Sequence, residues 1–373
     1  MSNARKLADN LPIDGQLSNR RLNINGDMKV AQRASSAATS DGTEGYKTLD
    51  RWRILYSSSA GGAATMSQDT TVPNTSFANS LKLDVTTADT SIDVNHAITL
   101  QYRFEAQDIA NSGWDYTNSN SNMSVSFWAR SVKAGTYCVF FFTQDGTTKN
   151  LVQEYTLEAN TWKYVTLKFK GDSGISFDDD NGLGLIVGWT LVAGANRYES
   201  VTAGTWITTS SGNGQGRYAT SNQVNFFDST SNDFYLTGVQ IEVGSQASPF
   251  EHEPISTTLA KCQRYFEVTD QDQEIYATGS CWTTSAAYGF IPFMVEKRVS
   301  PTSLGRWKGA ATDYRFRTKG SNYQCTSLTM AVSNASTRNA RFDLSVGSGL
   351  VAGDSGWLSH SGNTTQLYFD SEL

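Results

Sequence analysis

Two polar stretches gather the side chains best suited to chemistry. "NSGWDYTNSN" places Trp114 beside Tyr116, and "ANRYESVTAGTWITTSSGNGQGRY" carries Tyr198, Trp206, Arg217 and Tyr218. An exposed aromatic ring can stack on the apolar face of a pyranose while Asn, Gln, Asp and Arg beside it exchange hydrogen bonds with the hydroxyls. These six residues are therefore the candidate sugar contacts. Nine Trp and sixteen Tyr supply further rings. Trp52, Trp128, Trp162 and Trp189 fall inside strand-like runs and are expected in cores.

Catalytic signals are weak. His96, His252 and His360 are far apart, with no G-x-S-x-G or H-E-x-x-H motif near them. No catalytic residue is assigned. The 36 Asp and Glu residues leave room for a carboxylate pair that cleaves a polysaccharide, which is the third-ranked reading. "FDDDNGLG" (residues 177–184) packs three carboxylates beside a turn, but a glycine stands where a calcium-hand loop needs its third acidic ligand. A solvated turn is expected there. "EKRVSPTSLGRWKG" gathers Lys297, Arg298, Arg306 and Lys308 into what should be a solvated basic face.

Composition narrows the class. Hydrophobic residues make up 38% and charged residues 18% of 373, a balance that suits strands joined by polar loops. A net charge of -6 and a pI near 5.2 give no footing for a nucleic-acid backbone. Cys138, Cys262, Cys281 and Cys325 lack the spacing of a zinc ribbon or disulfide framework and read as free thiols. No signal-peptide-like or membrane-spanning apolar run is visible, so a soluble protein made in a cytoplasm is expected.

The elements that must position these residues are mostly strands. "SLKLDV", "HAITLQYRFEA", "SVSFWARS", "TYCVFFFT", "KYVTLKFK", "GLIVGWTL" and "FYLTGVQIEV" are short runs divided by turn residues. Val125, Phe127 and Ala129 share one face at the strand period of two, as do Val165, Leu167 and Phe169. "YCVFFFT" is apolar on both faces and belongs in a sheet centre covered above and below. The prediction is a mainly β chain: a jelly-roll β-sandwich, a short linking helix and a second, smaller β domain. No helical stretch is expected within the sandwich. The linking helix follows "SPFEHEP", with Ser256 or Thr257 as its cap and Ile255, Leu259, Cys262 and Phe266 on its buried face. Strands resume at "YGFIPFMVEK", "LTMAVS", "ARFDLSV" and "QLYFD". The predicted domains are an attachment arm over 1–23, a jelly roll over 24–253, and the helix with a C-terminal β domain over 254–373.

"LNINGDMKVAQR", "GYKTLDRWRI", "FYLTGVQIEVGSQASPFEHEP" and "LAKCQRYFE" together resemble tail-fibre and related virion-appendage proteins of tailed bacteriophages, of the marine type. The closing "VQIEVG" to "ASPFE" and "LAKCQRYFE" carry most of that resemblance. It implies a carbohydrate-binding-module-like jelly roll in a homotrimer, docked on other virion proteins through the N-terminal arm. Its implied partner is a host-surface glycan, recognised without catalysis, nucleic acid or membrane insertion. Capsid decoration or joining of tail components is the alternative. Jelly rolls of this kind often hold structural calcium near the first strand, which makes Asp27 and Asp84 the metal candidates; no other cofactor is implied.

Overall fold

The computed structural model describes residues 19–209, 216–270, 275–360 and 365–373. The chain divides into two units, one running to Thr258 and including Leu373, the other Leu259–Glu372.

In the first unit the described residues form two antiparallel sheets. One has six strands in the order β1 (Ser36–Ser40), β4 (Ala63–Asp69), β5 (Ser80–Thr87), β13 (Asp233–Val243), β7 (Asn122–Ser131) and β10 (Lys163–Lys170). The other has seven, in the order β12 (Ile207–Thr208), β9 (Lys149–Leu157), β8 (Gly135–Thr143), β11 (Leu183–Ala193), β6 (Ala97–Glu105), β3 (Trp52–Ser57) and β2 (Gly45–Tyr46). This is the sandwich expected from the alternating runs. Two short helices that the runs did not foretell, α1 (Ala106–Ala110) and α2 (Ala195–Tyr198), lie in its connections.

The core is made by alternation. Val125, Phe127 and Ala129 of β7 are fully buried between the sheets, with Val165 and Phe169 of β10 beside them. From the other sheet come Leu100 and Tyr102 of β6, Val139 and Phe141 of β8, and Val187 and Trp189 of β11. Rings interlock across the gap: Phe141 lies 3.8 Å from Phe169 at 5°, and Phe127 meets Trp189 edge-on at 5.6 Å. Each such side chain contributes about 1.5–3 kcal/mol through burial. β13 resets its alternation at a bulge between Thr237 and Gln240. Phe234 and Leu236 before it, and Val239, Ile241 and Val243 after it, all reach the core. Gly238, at φ +61°, makes that reset.

β8 is buried on both faces, as its sequence requires. Tyr137, Val139 and Phe141 point into the sandwich; Cys138 and Phe140 point out, where Tyr218 and Ala219 cover them. Phe140 and Tyr218 rings lie 4.8 Å apart, with the Arg197 guanidinium 5.5 Å over the Tyr218 ring. All four cysteines are buried free thiols; burial pushes the Cys138 pKa up to about 11 and that of Cys325 to about 12.

In the second unit six strands close into a barrel: β15 (Ile275–Cys281), β16 (Ala286–Pro292), β20 (Asn339–Val346), β19 (Ser321–Ala335), β18 (Tyr314–Thr318) and β21 (Ser355–His360). Phe316, Phe342, Leu344 and Leu358 fill it. A three-stranded sheet joins β14 (Phe266–Val268), β22 (Gln366–Asp370) and β17 (Ser303–Lys308). The strand expected across "YGFIPFMVEK" ends at Pro292, which has no N–H for a ladder.

The predicted helix is α3 (Ile255–Gln263), and the division between the units falls within it. Its limits differ from expectation. Phe266 is buried but belongs to β14, Leu259 is half-buried and Ile255 is 62% exposed, so within the helix Cys262 is the one residue of the predicted face that is fully buried. Ser256 and Thr257 sit inside the first turn and do not cap it. The carbonyl of Pro254 instead accepts from the N–H groups of Thr257 and Thr258, a proline being well tolerated where a helix begins. The basic stretch is also not a uniformly solvated face: Lys297 is buried and paired with Glu267, while its ammonium donates to the carbonyl of Gln263 at 2.6 Å. Burial outweighs the attraction of Glu267 and holds the Lys297 pKa below its ordinary value.

Of the predicted attachment arm, residues 1–18 lie outside the described residues. The remainder is part of the sandwich. Leu22 N–H donates to Ile241, Val239 N–H donates to Gly26, and Asn23 both donates to Val239 and accepts from Ile241. The closing motif completes the junction. Ser248 donates to both carboxylate oxygens of Glu242, Glu251 N–H donates to Gln240, and Arg21 pairs with Glu253 at 2.8 Å while lying over the Phe250 ring. Thus "LNINGD" and "VQIEVGSQASPFEHEP" are two halves of one structure. A Cβ at Gly26 would lie 2.0 Å from the carbonyl oxygen of Val239. Gly26→Ala should therefore cost about 1–3 kcal/mol, read by chemical denaturation; an unshifted midpoint would show that the strip does not hold β13.

Candidate functional site

The inward commitment of Val125, Phe127 and Ala129 sends Trp128 and Arg130 to the outer face of the six-stranded sheet. Register places Tyr164 of β10 opposite Trp128, and Tyr235 of β13 opposite Arg130. The rings form two neighbouring pairs. Trp128 and Tyr164 have centroids 5.3 Å apart at 47°, and Tyr164 is 43% exposed. Trp162 and Tyr235 are 6.0 Å apart at 57°. Trp128 and Trp162 are half-buried, so each retains some accessible ring surface, whereas Tyr235 is covered.

Charged groups fringe these rings. The Arg130 guanidinium lies 5.2 Å over the Tyr235 ring and donates to the carbonyl and side-chain oxygens of Asn160 at 3.1 and 3.2 Å. Lys82 of β5 stands 5.8 Å over the same ring, 3.4 Å from Asp233 and 4.0 Å from Asp84. Burial pulls the Lys82 pKa down, but Asp233 foremost, with Tyr235 and Asp84, more than offsets it, so the ammonium is held charged. The Asp84 pKa is raised, first by its hydrogen bond to Asp233 and then by burial, against the pull of Lys82. Rings, a guanidinium, an ammonium and two carboxylates thus meet on one face. This combination provides an apolar stacking surface with donors and acceptors at its rim.

The residues singled out from the loops lie elsewhere and are mostly structural. Trp114 is 3% exposed, packed edge-on against Phe141 at 6.4 Å. Tyr116 is half-buried against Phe177 at 5.0 Å. Tyr218 is buried over Phe140, and Tyr198 packs into the same small cluster. Trp206 donates its indole N–H to the carbonyl of Lys170 at 2.7 Å, on the outermost strand of the six-stranded sheet. It thereby blunts a free strand edge. Arg217 is engaged by Glu199, donating to its carbonyl at 3.1 Å and lying 3.6 Å from its carboxylate. Of these six, the burial of Trp114 and Tyr218 removes them as stacking faces.

Asp27 and Asp84 do not converge on a common site. Asp27 pairs with Lys29 at 2.9 Å, whereas Asp84 faces Asp233 at the start of β13. Among the described residues no group of three or more His, Cys, Asp or Glu side chains has the arrangement to hold a metal. The "FDDDNGLG" carboxylates serve the backbone and neighbouring side chains: Asp180 accepts from Gly182 N–H, and Asp179 from Asn111.

Sequence reading assigned Trp128 and Trp162 to cores and passed over Tyr164. The signal was present in the alternation: once Val125, Phe127 and Val165 point inward, Trp128 and Tyr164 must point out. Aromatic type suggested burial; strand parity decided the face.

No protein-family model matches this chain, and no curated protein does. Solved structures do match. One is the enzymatically active domain of tailspike protein 4 of bacteriophage CBA120, with 11% identity and a TM-score of 0.30 over 60% of this chain and 21% of that one, about a fifth of its length. Another is a family 11 carbohydrate-binding module of Clostridium thermocellum, solved with a mixed-linked tetrasaccharide, at 14% identity and a TM-score of 0.28, covering 58% of this chain and 98% of that one. A family 22 module of the same organism matches at 12% identity and a TM-score of 0.32, covering 62% and 99%.

The Asp84 and Asp233 pair gives a pH signature. A carboxyl whose pKa is raised by folding disfavours its charged form, so the folded chain gains stability as pH falls through that pKa, ahead of the unfolded chain's protonation. Asp84→Asn removes the repulsion at neutral pH. The melting temperature of the variant should exceed the wild type near pH 7 and converge on it below about pH 4. A difference independent of pH would show that folding does not raise the Asp84 pKa.

Proposed function

We propose that this protein recognises a glycan, without catalysis, through the outer face of its six-stranded sheet. The observation that carries the reading is the outward pairing of Trp128 with Tyr164, two accessible rings side by side with Trp162, Arg130 and Lys82 around them. The flat apolar face of a pyranose ring fits against such a pair, and the charged rim supplies partners for its hydroxyls. The "LNINGD" and "VQIEVGSQASPFEHEP" motifs, which resemble those of phage virion appendages, support placing this activity in a tail fibre or receptor-binding appendage of a tailed phage. There the ligand is a glycan of the host surface. Assembly as a homotrimer, docked on other virion proteins through the N-terminal arm, raises weak single-site binding by avidity.

Trp128→Ala and Tyr164→Ala should each weaken binding of the full chain to host envelope polysaccharide about tenfold, equivalent to about 1.4 kcal/mol, in biolayer interferometry. Trp206→Ala should leave the affinity unchanged. The reading fails if the Trp128 and Tyr164 variants bind as the wild type does. Reducing ends released from the polysaccharide would make the protein an enzyme instead.

A further inference from the structure

A cleft of about 470 Å³ lies on the outer wall of the C-terminal barrel, over β16, β19 and β20. Trp282 stands at its side, 69% exposed. The backbone there is fixed, because the N–H groups of Trp282 and Thr283 both donate to the carbonyl of Ala286. Tyr288 meets the indole edge-on at 5.8 Å, and Arg341 lies over the Tyr288 ring at 4.9 Å. Arg341 in turn grips one carboxylate oxygen of Asp343, through Nε at 3.1 Å and through a terminal nitrogen. Ser327 and Thr329 complete the polar side.

Three features limit what this cleft can take. Its lining has one positive and one negative side chain, already paired, so it carries no net charge to attract an anion. The barrel is closed, with each of its strands paired on both sides, so it offers no free edge for an added peptide strand. An indole surface open to water faces hydroxyls, a carboxylate and a guanidinium across a concave wall. That juxtaposition of one apolar face and several hydrogen-bonding groups matches the two-sided chemistry of a sugar ring.

We propose that this cleft is a second carbohydrate site, specific for a neutral saccharide, separate from the aromatic face of the sandwich. Trp282 supplies the stacking ring. Arg341, held over Tyr288, and Asp343 supply donors and acceptors to the hydroxyls. A chain with two such sites in different units can engage one polysaccharide at two points or two glycans at once.

The test is a glycan array of cellohexaose, mannohexaose, xylohexaose, laminarihexaose and an oligogalacturonate, probed with the labelled full chain and its Trp282→Ala and Asp343→Asn variants. Trp282→Ala should lose at least about tenfold in apparent affinity for one of the neutral hexasaccharides, and Asp343→Asn should weaken the same signal. Equal melting temperatures would show that the variants are folded, as the exposure of Trp282 leads us to expect. The proposal is overturned if Trp282→Ala gives the wild-type profile, if the oligogalacturonate is the preferred ligand, or if the wild type binds none of these glycans. A change in sedimentation on Trp282→Ala would also overturn it, by making the patch a contact between subunits. Failure of the Trp128 reading leaves a distinct trace: Trp128→Ala would then bind host envelope polysaccharide as the wild type does, while Trp282→Ala would still lose its hexasaccharide signal.

Discussion

Alternation along the strand Asn122–Ser131 gives each of its side chains one of two destinations, and much of the first unit follows from it. Val125, Phe127 and Ala129 are fully buried, so Trp128 and Arg130 have no place but the opposite face. A slip of one residue would bury an arginine and expose a phenylalanine, a change that no loop could compensate. The same constraint governs β13. There the bulge at Gly238 keeps Phe234, Leu236, Val239, Ile241 and Val243 on the core although they are not uniformly two residues apart. The register of β13 is in turn held by the strip around Asn23 and Gly26. The core therefore determines the exposed aromatic face: its rings stand on strands, whose positions are fixed by packing.

Two sheets with different outer faces emerge from this rule. The seven-stranded sheet has apolar residues on both sides, among them Phe140 and Ile186, and needs a cover, which the segment containing Tyr218 and Ala219 provides. The six-stranded sheet keeps part of its outer face open around Trp128 and Tyr164. The loop aromatics are drawn into the first arrangement or into strand edges, as Trp206 is at Lys170. Function and packing thus compete for the same residue types, and the sheet with the polar outer face is the one that leaves rings free.

The sandwich was legible because its signal is local. Period-two runs such as "SVSFWARS" and "KYVTLKFK" became β7 and β10 with the predicted faces inward, and the two-sided run "YCVFFFT" became an interior strand. Less was legible where partners are distant in sequence. Nothing near β15 announces that it closes a barrel against β21, some eighty residues on. The strand Tyr314–Thr318, "YRFRT", was passed over although Tyr314 and Phe316, both buried, alternate with arginines at the strand period of two. Two of the candidate sugar contacts were misread for another reason. Polar neighbours made Trp114 and Tyr218 look exposed, although such a loop can fold its aromatic residues back onto a sheet.

The most direct measurement is a nuclear magnetic resonance titration that follows the indole N–H signals of the full chain as host envelope polysaccharide is added. The Trp128 and Trp162 signals should shift with the glycan, while those of the buried Trp52 and Trp189 stay in place. A bound glycan that leaves Trp128 and Trp162 unmoved, or a polysaccharide that shifts no indole at all, would contradict recognition through this face of the sandwich.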